Sequence, residues 1–181
     1  MLKIDNLKTA LDNFSNKVVQ DAKDNLQSTG KVDTGDLKNS LINLGAKVSK
    51  NSIEINIMMS DYGAFVDKGV RGVGGVRKTT SAFKRTNNRG KMWKQKGGDS
   101  PYSFKEGNKP SVKHFIEWSN KRGLSPFAVR EAVFHQGIAP NHFLSNAVEK
   151  NINTLSTVIQ NAFALDIENT VEFLIKSNFN K

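Results

Sequence analysis

The chain has 181 residues and carries 27 Lys and Arg against 17 Asp and Glu, which gives a formal net charge of +10 at pH 7. This length fits one domain with its own core, and the lack of cysteine excludes disulfides and thiolate metal sites. Charged residues interrupt the apolar runs near the start, and no run approaches the roughly 20 residues that cross a bilayer. We therefore expect no membrane partner and a protein made and used on the cytoplasmic side.

The first third of the chain predicts a helix followed by strands. Apolar residues recur at three- and four-residue steps from Ile4 to Leu26, as on the buried face of a helix. A turn at Val32–Asp36 follows, and Leu37–Val48 is interpreted as a strand that begins with a helical turn. Ser52–Met59 alternates isoleucine with mostly polar residues, which predicts a strand with one buried face. Tyr62–Gly69 then predicts a short helix that its final glycine ends.

The positive charge is concentrated in one glycine-rich stretch. Residues 68–113 carry 13 Lys and Arg and two acids, whereas the rest of the chain carries 14 basic and 15 acidic residues. Within this stretch, residues 70–109 predict a long irregular basic loop. Such a loop either attracts nucleic acid or acidic protein surfaces, or is a solvated segment kept soluble by its charge. The basic side chains with a predicted binding role are Arg71, Arg77, Lys78, Lys84, Arg85, Arg89, Lys91, Lys94 and Lys96.

The C-terminal part of the chain predicts helices. Residues 110–137 predict a pair of short helices, each opened by a proline and closed by a glycine. No glycine or proline occurs after Pro140, and apolar residues continue at helical steps, so we predict a long C-terminal helix. This helix is too apolar for a small sheet alone to cover. Its outer turns either pack on a neighbouring subunit or fold back on their own domain as a helical hairpin.

Two short motifs resemble functional loops but lack the required context. Asp33-Thr34-Gly35 has the letters of the aspartic-protease turn, where two carboxylates share a proton. Those enzymes place the triplet after an apolar strand, and Gly30-Lys31 is not apolar, so we interpret it as a structural turn. Gly72–Thr79 resembles a phosphate-binding loop, but Arg77 stands where glycine must precede the lysine. We therefore expect no nucleotide site there.

The histidines and the aromatic residues suggest structural roles. His114, His135 and His142 lack the spacing of a zinc-binding helix, so we expect no metal, cofactor or catalytic residue. Aromatic residues at Trp93 and at Tyr102–Phe104 lie among the cations. They either stack on bases of single-stranded nucleic acid or anchor the loop to its own domain or a neighbour, and we favour anchoring.

Three segments, in this order, are similar to motifs of one family. Val32–Leu41 is similar to a "dTG-x-L-r-x-S-i" signature, Tyr62–Gly69 to "Y-A-x-x-v-E-x-G-T", and Ile138–Ala147 to "P-x-P-F-l-x-P-A". The chain therefore resembles the phage HK97 gp10-like head–tail joining (neck, or tail-completion) proteins of tailed bacteriophages. The matching positions are Asp33, Thr34, Gly35, Leu37, Ser40, Tyr62, Phe65, Asp67, Gly69, Pro140, Phe143 and Ala147. Among these, Asp67 carries an acid one carbon shorter than the usual Glu. Val70 replaces the usual Thr, and His142 and Asn146 stand where prolines are common.

The resemblance implies an α+β fold, in which a small antiparallel sheet packs with an N-terminal helix and a long C-terminal helix. It implies one domain over residues 1–181 with an insertion at 70–137, and no enzymatic activity. Family members are virion proteins that assemble in the host cytoplasm into a ring at the head–tail junction. They contact portal, adaptor or other neck proteins on one side and tail proteins on the other. We expect the C-terminal helix and the 62–69 element to supply much of the ring contact.

Two alternatives stay open from the sequence. In the ring, the 70–109 loop either faces genomic DNA without reading its sequence or pairs with an acidic neighbour, and we favour the neighbour. The runner-up function is a nucleic-acid-binding protein that uses this loop and a helix-turn-helix-like segment at 110–137. Its second helix offers only Arg130 as a base-reading cation, which is few for a recognition helix.

Overall fold

The computed structural model describes residues 4–29, 34–49, 52–75 and 92–179. The chain divides into two compact units, a helical unit of residues 1–61 and 143–181 and an inserted unit of residues 62–142. The sequence predicted a narrower insertion, at 70–137. In chain order the elements are α1 (Asp5–Ser28), α2 (Asp36–Ser40), β1 (Ile42–Val48), β2 (Ile53–Met58), α3 (Gly63–Lys68), β3 (Val70–Arg71), α4 (Lys113–Asn120), α5 (Pro126–Gln136), β4 (Gly137–Ile138) and α6 (Phe143–Phe179).

Helices α1 and α6 lie antiparallel and form the body of the helical unit. Asn25, near the end of α1, donates a hydrogen bond from Nδ2 to the carbonyl of Phe143 at the start of α6 (2.9 Å). At the other end, the Asp166 carboxylate accepts the backbone N–H of Asn6 (3.0 Å) and of Leu7 (2.9 Å). These N–H groups have no partner within a helix, so α6 caps the first turn of α1.

Apolar burial holds the helical unit together. The residues of α1 at helical steps form one buried face, and Leu7 and Leu11 join Ala46 and Ala162 in a core cluster. Ile55 of β2 packs against this cluster from the sheet side. The predicted α+β fold is therefore confirmed: a small antiparallel sheet packs with the N-terminal and the long C-terminal helix.

The sheet of the helical unit is a two-stranded hairpin of β1 and β2 with a bulge between Asn43 and Ala46. Gly45 lies in the bulge at φ 86°, a left-handed conformation that favours glycine. The N–H of Ala46 donates to the Asp12 carboxylate on α1. Polar contacts therefore fix the bulged strand against α1. The prediction of a helical turn leading into a strand at Leu37–Val48 is confirmed by α2 and β1.

Short strands and short helices build the inserted unit. β3 pairs antiparallel with β4, with Val70 opposite Ile138. On its other side Arg71 forms a parallel bridge to Ser103. The predicted helical pair at 110–137 is present as α4 and α5. Among the described residues, no helix is long and apolar enough to cross a membrane.

Candidate functional site

The structure describes only part of the predicted basic site. Arg71, Lys94 and Lys96 lie among the described residues. The other six predicted cations lie outside them, and they are Arg77, Lys78, Lys84, Arg85, Arg89 and Lys91. Asp33 of the first family motif also lies outside the described residues.

Both flanks of the 76–91 segment are fixed at the end of α5. The N–H of Trp93 donates to the carbonyl of Gly75 (3.0 Å), which brings the two flanks together. The last turn of α5 has carbonyls without partners inside the helix. The carbonyl of Phe134 accepts from Val73 (3.0 Å) and that of Gln136 accepts from Lys96 (2.8 Å). The described flanks, residues 73–75 and 93–96, are therefore held together at the end of α5.

Trp93 anchors this place through its side chain. It is 7% exposed, and its ring stacks on His135 with centroids 5.3 Å apart and planes 2° apart. His135 Nδ1 lies 2.7 Å from the carbonyl of Gly74. Tyr102 packs edge-on against Phe65, with centroids 4.6 Å apart. These contacts agree with the favoured interpretation that the aromatic residues of the basic stretch anchor it.

Glycine allows the backbones to meet at this place. A Cβ on Gly72 would lie 2.2 Å from the carbonyl oxygen of His135, and one on Gly97 would lie 2.2 Å from that of Val70. Gly137 is equally crowded and has φ 84°. Any larger residue would force these backbones apart. The glycines at 72, 97 and 137 are therefore packing positions, and the first two belong to the basic stretch.

A charge cluster around Glu131 braces α5. Lys109 Nζ lies 2.9 Å from Glu131 Oε2, and Arg130 Nη2 lies 2.8 Å from Oε1. Burial raises the pKa of the Glu131 carboxyl, but the hydrogen bonds from Lys109 and Arg130 outweigh it and hold this pKa below its ordinary value. Arg130, the one cation offered by the predicted recognition helix, is thus engaged inside the unit. This contact disfavours the helix-turn-helix interpretation.

An apolar groove opens on the inserted unit. Its volume is about 630 Å³, within the size range of binding sites. The groove is lined by Tyr62, Phe65, Val66, Val70, Pro101, Tyr102, Ser103, Phe104, Lys105 and Ile138. Tyr62, Phe65 and Ile138 remain about two-fifths or more exposed, at 46%, 42% and 39%. Apolar side chains in a concave, half-open site are typical of a surface that binds a partner.

The segments Tyr62–Gly69 and Ile138–Ala147 meet next to this groove. Asn141 and His142 donate their N–H groups to the carbonyls of Val66 (2.9 Å) and Asp67 (3.0 Å) at the end of α3. A Cβ on Gly69 would lie 2.6 Å from the carbonyl oxygen of Ile138. Backbone hydrogen bonds therefore hold the two segments together. Asp67, at this contact, is 4% exposed.

Residues of the first motif and the end of the third also have structural positions. Gly35 precedes α2 at φ 83°, and Thr34 Oγ1 donates to Asp36 (2.7 Å). Ser40 Oγ accepts the N–H of Ser60 (2.9 Å). The remaining residues of these segments are Leu37, Phe143 and Ala147, which are buried, and Pro140. None of these contacts assembles a nucleophile with a base.

Within the described ranges, no group of three or more His, Cys, Asp and Glu side chains is placed to hold a metal ion. His135 positions the backbone of Gly74, and His142 adopts φ 56° at the turn before α6. His135 and His142 thus take part in local structure.

The second half of α6 exposes a second apolar surface. Phe163, Ile167, Val171 and Ile175 are 40%, 44%, 48% and 51% exposed. Their four-residue spacing places them along one side of the helix. The sequence left open whether these outer turns pack on a neighbouring subunit or fold back as a hairpin, and α6 is one helix to Phe179. The groove had no signal in the sequence, because it is built from residues between 62 and 138 that are distant in sequence.

Comparison of this chain with protein-family models, with curated proteins and with solved structures finds no match.

Proposed function

We propose that this protein is a structural, non-enzymatic subunit of a tailed-phage virion that forms a ring at the head–tail junction. The observation that carries the proposal is the apolar side of α6, with Phe163, Ile167, Val171 and Ile175 each at least 40% exposed. Exposed apolar surface of this extent is typical of protein interfaces. The order of the three motifs adds support, since they resemble head–tail joining proteins.

The partners we propose are further copies of the chain, portal or adaptor proteins, and tail proteins. The basic stretch would face an acidic surface of such a neighbour. Its described flanks are fixed by Trp93 and by the carbonyls of Phe134 and Gln136. The alternative is that the same cations contact genomic DNA without reading its sequence.

The test is the mass and shape of the purified full-length protein, by light scattering and negative-stain imaging at low and high salt. We expect closed rings at low salt. Loss of the rings at high salt would assign the basic stretch to contacts between subunits, because salt screens exposed charges. A monomer at every protein concentration that binds duplex DNA with site preference at physiological salt would overturn the proposal in favour of a nucleic-acid-binding protein.

A further inference from the structure

We propose that the ring contact is head-to-tail: the apolar side of α6 in one copy occupies the apolar groove on the inserted unit of the next copy. This inference rests on the proposed ring function and names its interface. We define the α6 stripe as Phe163, Ile167, Val171 and Ile175, and the groove by the lining residues given above. Because the two surfaces differ, each copy offers one of each. Such a heterologous contact repeats until it closes into a ring.

The α6 stripe continues past the part of α6 that α1 covers. α1 begins at Asp5, and its first turn is already capped by Asp166. Helix α6 then continues to Phe179, so it extends by roughly 20 Å at 1.5 Å per residue. Ile167, Val171 and Ile175 lie on this extension. They remain 44%, 48% and 51% exposed, so the described residues leave them largely uncovered.

The groove has the shape that a helix side requires. It is concave and open, and aromatic and aliphatic side chains make up most of its lining. Its half-exposed residues Tyr62, Phe65 and Ile138 supply apolar contact area without any change in the unit. An amphipathic helix that lays its apolar side into such a groove, with anchors at four-residue steps, is a recurring mode of protein recognition.

Charge favours this occupant over other apolar partners. Glu168 is exposed on α6 and lies beside the stripe, whereas the exposed Glu172 pairs with Lys176 of the same helix (3.2 Å). Lys105 lines the groove. The inserted unit carries 16 Lys and Arg against 5 acids, whereas the helical unit carries 11 against 12. A groove on a basic unit therefore attracts an apolar helix flanked by glutamates.

A contact between two α6 stripes would cover less apolar surface than docking of the stripe in the groove. It would leave the groove of each copy uncovered, and it would be isologous, so that it stops at a dimer. Docking of the stripe in the groove covers both apolar surfaces with one contact. It also places the glutamates of α6 near Lys105 instead of near each other.

Two full-length variants test the docking by complementation. Val171→Lys places a charge in the stripe and leaves the groove of the same copy unchanged. Phe65→Glu places a charge in the groove and leaves the stripe unchanged. Light scattering should find each variant monomeric. An equimolar mixture should form dimers and nothing larger, because only one of its two possible contacts is intact. Far-ultraviolet circular dichroism and tryptophan fluorescence check that each variant is folded.

Leu165→Lys is the matched control on the same helix. Leu165 is 50% exposed, but at 100° per residue it lies on the opposite side of α6 from Ile167. We expect this variant to assemble like the unmodified protein. If Phe65→Glu disturbs the inserted unit, Tyr62→Glu replaces it, since Tyr62 is 46% exposed at the rim of the same groove.

A charge reversal sharpens the assignment. Glu168→Lys and Lys105→Glu should each weaken assembly by roughly 2- to 5-fold, the range for an exposed ion pair. Carrying both in one chain should restore most of it, since the pair is re-formed with opposite signs.

The outcomes distinguish the docking proposal from the ring proposal. Rings that persist in Val171→Lys or Phe65→Glu would overturn the docking and leave the ring proposal standing. A mixture that stays monomeric would also overturn the docking. Dimers formed by Phe65→Glu alone would overturn it too, since they would point to contact between two α6 stripes. A monomeric unmodified protein at every concentration would overturn both proposals.

Discussion

The two units of this chain are stabilised in different ways. Of the fifteen buried apolar residues in the described ranges, twelve lie in the helical unit and three, Val70, Trp93 and Phe134, lie in the inserted unit. Eleven of the fourteen glycines belong to the inserted unit. Burial of apolar side chains therefore dominates one unit, whereas close backbone approach, aromatic contacts and the Glu131 cluster dominate the other.

The comparison can be measured because the units carry different spectroscopic signals. Both tryptophans, Trp93 and Trp118, lie in the inserted unit. The two longest helices, α1 and α6, lie in the helical unit. Tryptophan fluorescence therefore follows the inserted unit, and circular dichroism at helical wavelengths follows mainly the helical unit.

The largest effect is expected from Leu11→Ala in the helical unit. Leu11 is fully buried in the core cluster, and a leucine-to-alanine change in a core costs about 2–5 kcal/mol. Chemical denaturation followed by circular dichroism should show this loss. Leu44→Ala, at a residue that is 57% exposed, is the control and should change little. An equal loss in both variants would contradict the assignment of the core.

A smaller effect is expected from Gly97→Ala in the inserted unit. The new Cβ would lie 2.2 Å from the carbonyl oxygen of Val70, and overpacking of this kind costs about 1–3 kcal/mol. The adjacent Gly98→Ala is the matched control, because its Cβ would meet nothing within 4 Å. Tryptophan fluorescence should report a lower unfolding midpoint for Gly97→Ala alone. Similar midpoints for the two variants would refute the role given to close backbone packing.

The smallest effect is expected from acid and from Glu131→Gln. The pKa of Glu131 is lower in the folded protein than its ordinary value of 4.5. Its contribution to stability is therefore fully present above pH 4.5 and is lost as the pH falls through the lowered pKa. Glu131→Gln should lower the stability of the inserted unit by roughly 1 kcal/mol at neutral pH and by little at pH 3.

Fluorescence-monitored unfolding as a function of pH measures this difference. Glu117→Gln is the control, because the Glu117 side chain is 79% exposed in its pair with Lys121, and exposed pairs contribute little. A difference between Glu131→Gln and the unmodified protein that persists unchanged to pH 3 would exclude the proposed linkage.

Elements with a strong local signal were predictable from the sequence. The helical steps of α1, the alternation in β2 and the uninterrupted apolar pattern of α6 all correspond to elements in the structure. The alternation overstated burial, since Ile55 and Ile57 are only half-buried and Ile53 is 43% exposed at the start of its strand. A strand end has fewer neighbours to cover its side chains, and the two-residue period contains no information about that.

The candidate site was less predictable. The sequence indicated that α6 and the 62–69 element present contact surfaces, but the groove needs Tyr62, Tyr102 and Ile138 to come together. No periodic pattern links positions so far apart. The aromatic residues of the basic stretch left two interpretations open, and only the stacking of Trp93 on His135 shows the anchoring contact.

The sequence by itself determined the longer helices, the main strands and the concentration of charge, because periodicity and composition act over short distances along the chain. Only the tertiary structure decided which distant groups meet. Asp166 caps α1 from the other end of the chain, and Gly72, Gly97 and Gly137 let separate backbones touch. Such contacts depend on where the chain returns in space, and burial makes them specific, since a buried polar group must find a partner and a close backbone approach leaves no room for a side chain.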